Sequence, residues 1–210
     1  RLFEAQGAKV RRVNYQGDVG LHVAKAIWGM QQLFHKMPKE NDSLPQKVRW
    51  LGMCYTAGAL AEDSEKEKLE IERINEAVYS KSDPEISRLY DIGRKWSLIY
   101  FGEIYKRLGT KFDYNYFESQ VGKAGLAIVK EGLKKGIFEQ SQGAIVFHGE
   151  KYGLHTRVFV SAQGLPTYEA KELGLAPAKY KDFKYDLSVI VTGSEVIDYF
   201  RVLLKVLEQI

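Results

Sequence analysis

The chain has one cysteine in 210 residues, so it cannot close an internal disulfide or supply a cysteine-cluster metal site. That usage fits a reducing, cytoplasmic setting. Four scattered histidines form no His-x-x-x-His pair, which leaves no motif for a resident metal. Long hydrophobic runs are missing as well. The longest, such as "LSVIVTG" and "GLAIV", are far below the roughly 20 residues needed to cross a bilayer, and no membrane association is expected. There is no apolar leader at the start. Charge of one sign is scarce too: 31 basic and 27 acidic residues leave +4, with the two signs interleaved, as on an evenly solvated surface. No internal repeat or low-complexity tract interrupts the chain.

What is present is an alternation of strand and helix signals. Residues 8–14, "AKVRRVN", read as a short strand ending in the glycine turn "YQGDVG", with Asp18 as the cap of a helix running to about Met37. Residues 44–108 are helical almost throughout. The third helix of this block has Asp83 as cap, Pro84 at its first position and Gly109 as stop. Its expected buried stripe is Leu89, Ile92, Trp96, Ile99, Tyr100 and Ile104. Next come a strand ending in "FES", a helix, a hairpin around Ser141, Gln142 and Gly143, a further strand and the short helix "YEAKELGLAPAKY". "YDLSVIVTGSE" reads as a strand buried on both faces, followed by an amphipathic helix to the end.

This order predicts an α/β fold: an open, parallel, Rossmann-like sheet with helical and hairpin insertions, of the kind that binds ligands beyond the carboxyl ends of its strands. Four regions are expected. Residues 1–43 and 157–210 give the two halves of a nucleotide-binding fold, both incomplete; 44–109 form a helical insertion and 110–156 a connecting strand, helix and hairpin. The opening without Met, in what reads as mid-helix, and the abrupt end point to a piece of a longer protein.

Several stretches carry chemistry beside a plainer reading. In "NYQGDVGLH", Gly17, Asp18, Gly20 and His22 surround a strand-to-helix turn. Such a turn can bring backbone and a helix N-terminus to an anion, or can be an ordinary turn capped by Asp18. "HKMPKE" reads as a helix stop with basic residues at its C-terminus. Glu118 ends a strand, either capping the next helix or pointing into a ligand crevice. In "LPTYEAKELG", Tyr168 and Glu172 stand four residues apart, one helical turn, with Lys171 between them. Either the tyrosine packs and the glutamate is solvated, or they join Glu118 around a planar guanidinium, which pairs with carboxylates through parallel N–H donors. Gly193, Ser194 and Glu195 lie where a strand becomes a helix, as a nucleotide site or as a simple cap.

Taken in order, these segments resemble the arginyl-tRNA synthetases, a class I family. "VRRVNYQGDVGLH" is similar to that family's Arg-x-Asn-Tyr-x-Gly-Asp-x-Gly segment. "FDYNYFES" and "KKGIFEQSQGAIVF" resemble its strand end and hairpin, "LPTYEAKELG" stands at its Tyr-x-x-x-Asp, and "VIVTGSEVIDYFRVLLKVL" matches its last strand and helix. The resemblance implies ATP-dependent activation of L-arginine and its transfer to tRNA(Arg). Magnesium would accompany ATP, and the full-length enzyme would act as a monomer. It places the arginine side chain at Glu118, Tyr168 and Glu172, and ATP at Gly17, Asp18, Gly20, His22, Gly193, Ser194 and Glu195; it assigns no residue to proton transfer. Glu172 stands where the family has aspartate, and Val196 and Tyr199 stand for its Gln and His. The family's His-x-Gly-His signature and lysine loop lie outside these residues, so the chain alone is expected to be inactive. Two other readings remain: another class I synthetase, or a noncatalytic paralogue acting as an amino-acid sensor or scaffold.

Overall fold

The computed structural model describes residues 2–210. The fold is mixed α/β, with a parallel sheet and helices. In chain order it comprises α1 (Leu2–Ala5), β1 (Val13–Gln16), α2 (Leu21–Gln32), α3 (Leu44–Ala61), α4 (Glu65–Ser80), α5 (Pro84–Arg107), β2 (Tyr114–Phe117), α6 (Glu118–Lys134), β3 (Glu139–Ser141), β4 (Ala144–Phe147), β5 (Arg157–Val160), α7 (Tyr168–Asp182) and α8 (Ile197–Leu207). It divides into two compact units. One is Gln16–Tyr114; the other is Asn115–Ile210 together with the residues up to Tyr15. This division differs from the expected one: α2, assigned above to the first nucleotide-binding half, belongs with the helical block.

In the unit Gln16–Tyr114, four helices close over Ile27, Met30, Trp50, Cys54, Ile71, Ile74, Leu89 and Trp96. The α5 start is as expected. Asp83 accepts from the backbone N–H groups of Glu85 (2.8 Å) and Ile86 (3.1 Å), two of the donors a helix N-terminus leaves open. The expected stripe holds through Leu89 and Trp96, but Ile99 is 49% exposed. Burial pushes the Cys54 thiol up to about 12, so it stays neutral and packs as a small apolar group. Asp18 is not the cap of α2. Gly20 takes that place with φ 119°, and the Asp18 carboxylate instead accepts from the Tyr90 hydroxyl at 3.0 Å and Arg94 Nε at 3.1 Å.

In the other unit, β3, β4 and β5 form an antiparallel sheet in that order. The expected β3–β4 hairpin forms, but Ser141 belongs to β3, leaving a two-residue turn of Gln142 at φ 49° and Gly143 at φ 82°. Phe138, Phe147 and Phe159 pack with Val129, Leu173, Val202 and Val206. The last two lie on α8, whose buried Tyr199, Val202, Leu203 and Val206 follow helical spacing. β1 and β2 pair in a separate two-stranded sheet.

The strand expected at "YDLSVIVTG" does not form. Residues 183–193 have no regular structure, and Leu187, Val189 and Val191 are exposed. Apolar composition suits such a segment to a buried strand, but a strand also needs a neighbour to complete its ladder. None among the described residues pairs with it.

Helices α6 and α7 approach unusually closely. A Cβ at Gly125 would stand 1.8 Å from the Ala170 carbonyl oxygen, and one at Gly174 would stand 2.3 Å from that of Val121. Each backbone lies in the space a side chain on the other would need. Gly125→Ala should therefore force the helices apart and cost about 1–3 kcal/mol, the scale of core overpacking. Gly52→Ala, on an exposed α3 position with nothing within 4 Å of the added atom, should instead stabilise by about 0.5–1 kcal/mol through helix propensity. Urea-unfolding midpoints that move in opposite directions will check the pair; equal midpoints would show that the α6–α7 approach is not required.

Candidate functional site

The site is built where β2 runs into α6 and β5 runs into α7. Glu118 is the first residue of α6, directly after β2. A negative charge is favoured there by the helix dipole. The preceding turn is fixed by Gln120 Oε1, which accepts from the Phe117 N–H at 3.3 Å. The entry to α7 is tied down from β5. Thr167 donates its hydroxyl to the Val158 and Phe159 carbonyls at 2.8 and 3.0 Å, and its backbone N–H to Phe159 at 3.1 Å. The next residue, Tyr168, opens the helix.

From that start, Tyr168, Lys171 and Glu172 fall at i, i+3 and i+4, one face of the first turn. The Gly125–Gly174 approach brings this face against the start of α6. Lys171 Nζ donates to Glu118 Oε2 at 2.5 Å, with side-chain exposures of 5% and 9%. Glu172 is equally buried, one helical turn from Tyr168 on the same face. The structure thus brings Glu118, Tyr168 and Glu172 together, with Lys171 among them.

Burial pushes the Glu172 carboxyl above the usual carboxylate range. The Tyr168 hydrogen bond and the Lys179 ammonium oppose this rise, while the Glu118 charge adds to it. Lys179, desolvated on the same helix, is pushed down. Burial and the neighbouring Glu172 carboxylate push the Tyr168 phenol up, so it remains a hydrogen-bond donor at neutral pH.

Aromatic rings wall the cluster. Tyr168 stacks on Tyr15 with centroids 6.0 Å apart and lies 5.1 Å from Tyr199. The Arg157 guanidinium sits 5.7 Å from the Tyr199 ring and 3.7 Å from Glu169. Tyr199 is buried, and its hydroxyl has no hydrogen-bond partner among the described residues. Val196 packs its half-buried side chain on the core that includes Tyr199.

The remaining candidates separate between the two units. Gly17, Asp18, Gly20 and His22 belong to the unit Gln16–Tyr114. Asp18 is committed to Tyr90 and Arg94, and His22 Nε2 lies 3.3 Å from the Gly17 carbonyl oxygen. Gly193, Ser194 and Glu195 belong to the other unit, exposed at the short 3-10 turn before α8. Sequence reasoning missed the closeness of Lys171 to Glu118. The signal was present, since Lys171 shares a helical face with Tyr168, but its neighbour is 53 residues away and depends on the α6–α7 packing. The walls supplied by Tyr15 and Tyr199 had no local signal.

Among the described residues there is no group of three or more His, Cys, Asp or Glu side chains placed to hold a metal ion, and no helix is long and apolar enough to cross a membrane.

The family described as tRNA synthetases class I (R), catalytic domain, matches residues 1–210. The arginine–tRNA ligase of Bdellovibrio bacteriovorus is 30% identical across 99% of this chain and 36% of its own length. That of Parabacteroides distasonis is 26% identical across 100% of this chain and 38% of its own length. The chain therefore spans a little over a third of the relatives it matches. Among solved structures, the arginyl-tRNA synthetase of Plasmodium falciparum superposes on the whole chain with a TM-score of 0.70 at 16% identity, over 34% of that protein. That of Thermus thermophilus covers 83% of this chain with a TM-score of 0.56, over 30% of its own chain. These neighbours share the fold, and the family match runs through every element that builds the site: the chain belongs to the class I tRNA synthetase (R) catalytic-domain family.

Proposed function

We propose that this chain is the part of an arginine–tRNA ligase catalytic domain that holds the amino acid, and that Glu118, Tyr168 and Glu172 bind the arginine side chain. The observation that carries the reading is the pair of buried carboxylates at the starts of α6 and α7, with Tyr168 one helical turn from one of them. Lys171 offsets Glu118, but a pocket for a neutral amino acid has no use for the second buried acid, Glu172, because an uncompensated buried charge is strongly unfavourable. A guanidinium offers five donors in a fixed plane and remains charged at any working pH.

In the reaction, the arginine α-carboxylate attacks the α-phosphorus of ATP. A carboxyl–phosphorus bond forms, the bond to the bridging oxygen breaks, and pyrophosphate leaves with the electron pair. A terminal ribose hydroxyl of tRNA(Arg) then attacks the acyl carbon, and AMP departs. The attacking carboxylate is already ionised at neutral pH, so the first step needs orientation and charge stabilisation rather than a general base. This chain's contribution is orientation: a side chain fixed at its guanidinium end places the α-carboxylate at a set distance from the site wall.

ATP, with its magnesium ion as part of the substrate, is proposed to meet Gly17, Gly20 and His22, and separately Gly193, Ser194 and Glu195. Asp18 acts at one remove, since its carboxylate is held by Arg94 and Tyr90. A cytoplasmic, monomeric full-length enzyme completes the proposal.

The test is arginine-dependent ATP–pyrophosphate exchange by the full-length protein that carries these residues. Glu172→Ala should raise the arginine KM at least about tenfold, the scale of one charge-assisted hydrogen bond of about 1.5–3 kcal/mol. Glu172→Asp, the residue usual in the resembling family, should stay within a few-fold of the parent. An unchanged arginine KM in Glu172→Ala would sink the assignment.

The same carboxylate burdens the empty protein. Its folded pKa lies above the ordinary value of 4.5, so the folded state disfavours the ionised form. The resulting penalty is absent below the ordinary value and grows as pH rises through the folded one. Glu172→Gln should therefore raise the melting temperature of the arginine-free protein near pH 7, and the gain should vanish toward pH 4. Calorimetry at the two pH values, without arginine, will check this.

A further inference from the structure

We propose that Lys171 is the built-in counter-cation of the amino-acid pocket: it neutralises one of the two buried carboxylates, so that the empty site presents a single net negative charge and selects a monocation. The inference rests on the reading of Glu118 and Glu172 as the arginine-binding pair, and it adds to that pair a specificity-determining residue that touches one of them.

Glu118 and Glu172 are 7% and 6% exposed, and Lys171 is 4% exposed. Two ionised carboxylates buried within interaction distance cannot both stay charged without compensation; one of them takes up a proton instead. Lys171 Nζ meets Glu118 Oε2 at 2.5 Å, with little of either side chain reaching water. With that pair neutral, the remaining charge of the cluster sits on Glu172, matching the single positive charge of a guanidinium. The Coulomb attraction of such a match, in a site with little water, favours one cation over a neutral side chain.

Geometry adds a second argument. The ammonium occupies one oxygen of Glu118 and so fixes the rotation of that carboxyl group. Lys171 itself is held by helix α7, whose close approach to α6 leaves it little room to move. It therefore acts as a positioning residue for Glu118 as well as a charge.

The other charged or titratable groups around the pair are Tyr15 on β1, Arg157 on β5, Tyr168, Glu169 and Lys179 on α7, and Tyr199 on α8. Arg157 is engaged with Glu169 at 3.7 Å and with the Tyr199 ring. Tyr168 and Tyr199 are pushed up and stay neutral. Lys179 reaches Glu172 electrostatically from about two helical turns along α7 but is itself pushed down by burial. Among these groups, Lys171 is the cation in direct contact with Glu118.

The test is the pH profile of the arginine KM, from pH 6 to 9, in ATP–pyrophosphate exchange by the full-length protein. The parent should give a nearly flat profile. In Lys171→Met the two carboxylates share a proton that arginine must displace, so the arginine KM should rise as pH falls, approaching about tenfold per pH unit, while kcat changes less. Lys171→Arg, which keeps the charge, should restore the flat profile. The double variant Glu118→Gln with Lys171→Met also keeps one net negative charge; it should bind arginine more weakly than the parent but with a flat profile. If Lys171→Met does not fold, the double variant decides: a flat profile supports the proposal, and a sloping one overturns it. A flat profile with unchanged KM in Lys171→Met overturns it as well. These outcomes are separate from the fate of the underlying reading, which fails if Glu172→Ala leaves the arginine KM unchanged.

Discussion

The close contact of α6 and α7 is the constraint on which the candidate site depends. Gly125 and Gly174 remove the two side chains that would hold these helices apart, and the helix starts are set independently, by β2 for one and by the Thr167 bonds to β5 for the other. With both starts fixed and the helices in backbone contact, Glu118 and the Tyr168–Lys171–Glu172 face have one relative placement. A side chain in either glycine's place would need space that the facing backbone occupies, and the shift that made room would disturb the Lys171–Glu118 contact. Small residues here serve electrostatics as much as packing.

That placement creates a balance of opposing costs. Burying Glu118 with Lys171 requires desolvating both, and such pairs seldom add net stability over a well-packed apolar pair. Burying Glu172 beside them is worse, since Lys171 is engaged with Glu118 and the cation that acts on Glu172, Lys179, is itself partly desolvated. A core selected for stability alone would have no reason to gather these groups. The proposed arginine-binding role accounts for their presence, since perturbed titratable groups concentrate at functional sites.

Much of this was legible in the sequence where the determinants are local. The α5 cap at Asp83 and Pro84, the hairpin around Gln142 and Gly143, and the apolar face of α8 depend on residues within a few positions of one another, and the structure keeps them. The helical spacing of Tyr168 and Glu172 was equally local. What was not legible depends on distant partners. "YDLSVIVTG" has strand composition, yet a strand is defined by its neighbour, and none of the described residues supplies one. Asp18 has the residue type and position of a helix cap; its carboxylate instead accepts from Tyr90 and Arg94, more than 70 residues later, partners that no local pattern names. The closeness of Lys171 to Glu118 belongs to the same class, since nothing in either segment names the other.

Tyr199 carries the reasoning one step further. It stands where the resembling family usually has histidine, and the fold buries it against Tyr168 with its hydroxyl unpartnered among the described residues. An unsatisfied buried hydroxyl costs about 1–3 kcal/mol, and the nearby Glu172 charge raises its pKa further, so ionisation offers no escape. Both unfavourable groups of the empty site, the Glu172 carboxyl and the Tyr199 hydroxyl, therefore lie against Tyr168. The packing of α7 and α8 holds them in position before any ligand arrives, and that is the physical meaning of a preorganised site: the fold bears the unfavourable arrangement, and interactions made on binding need not bear it again.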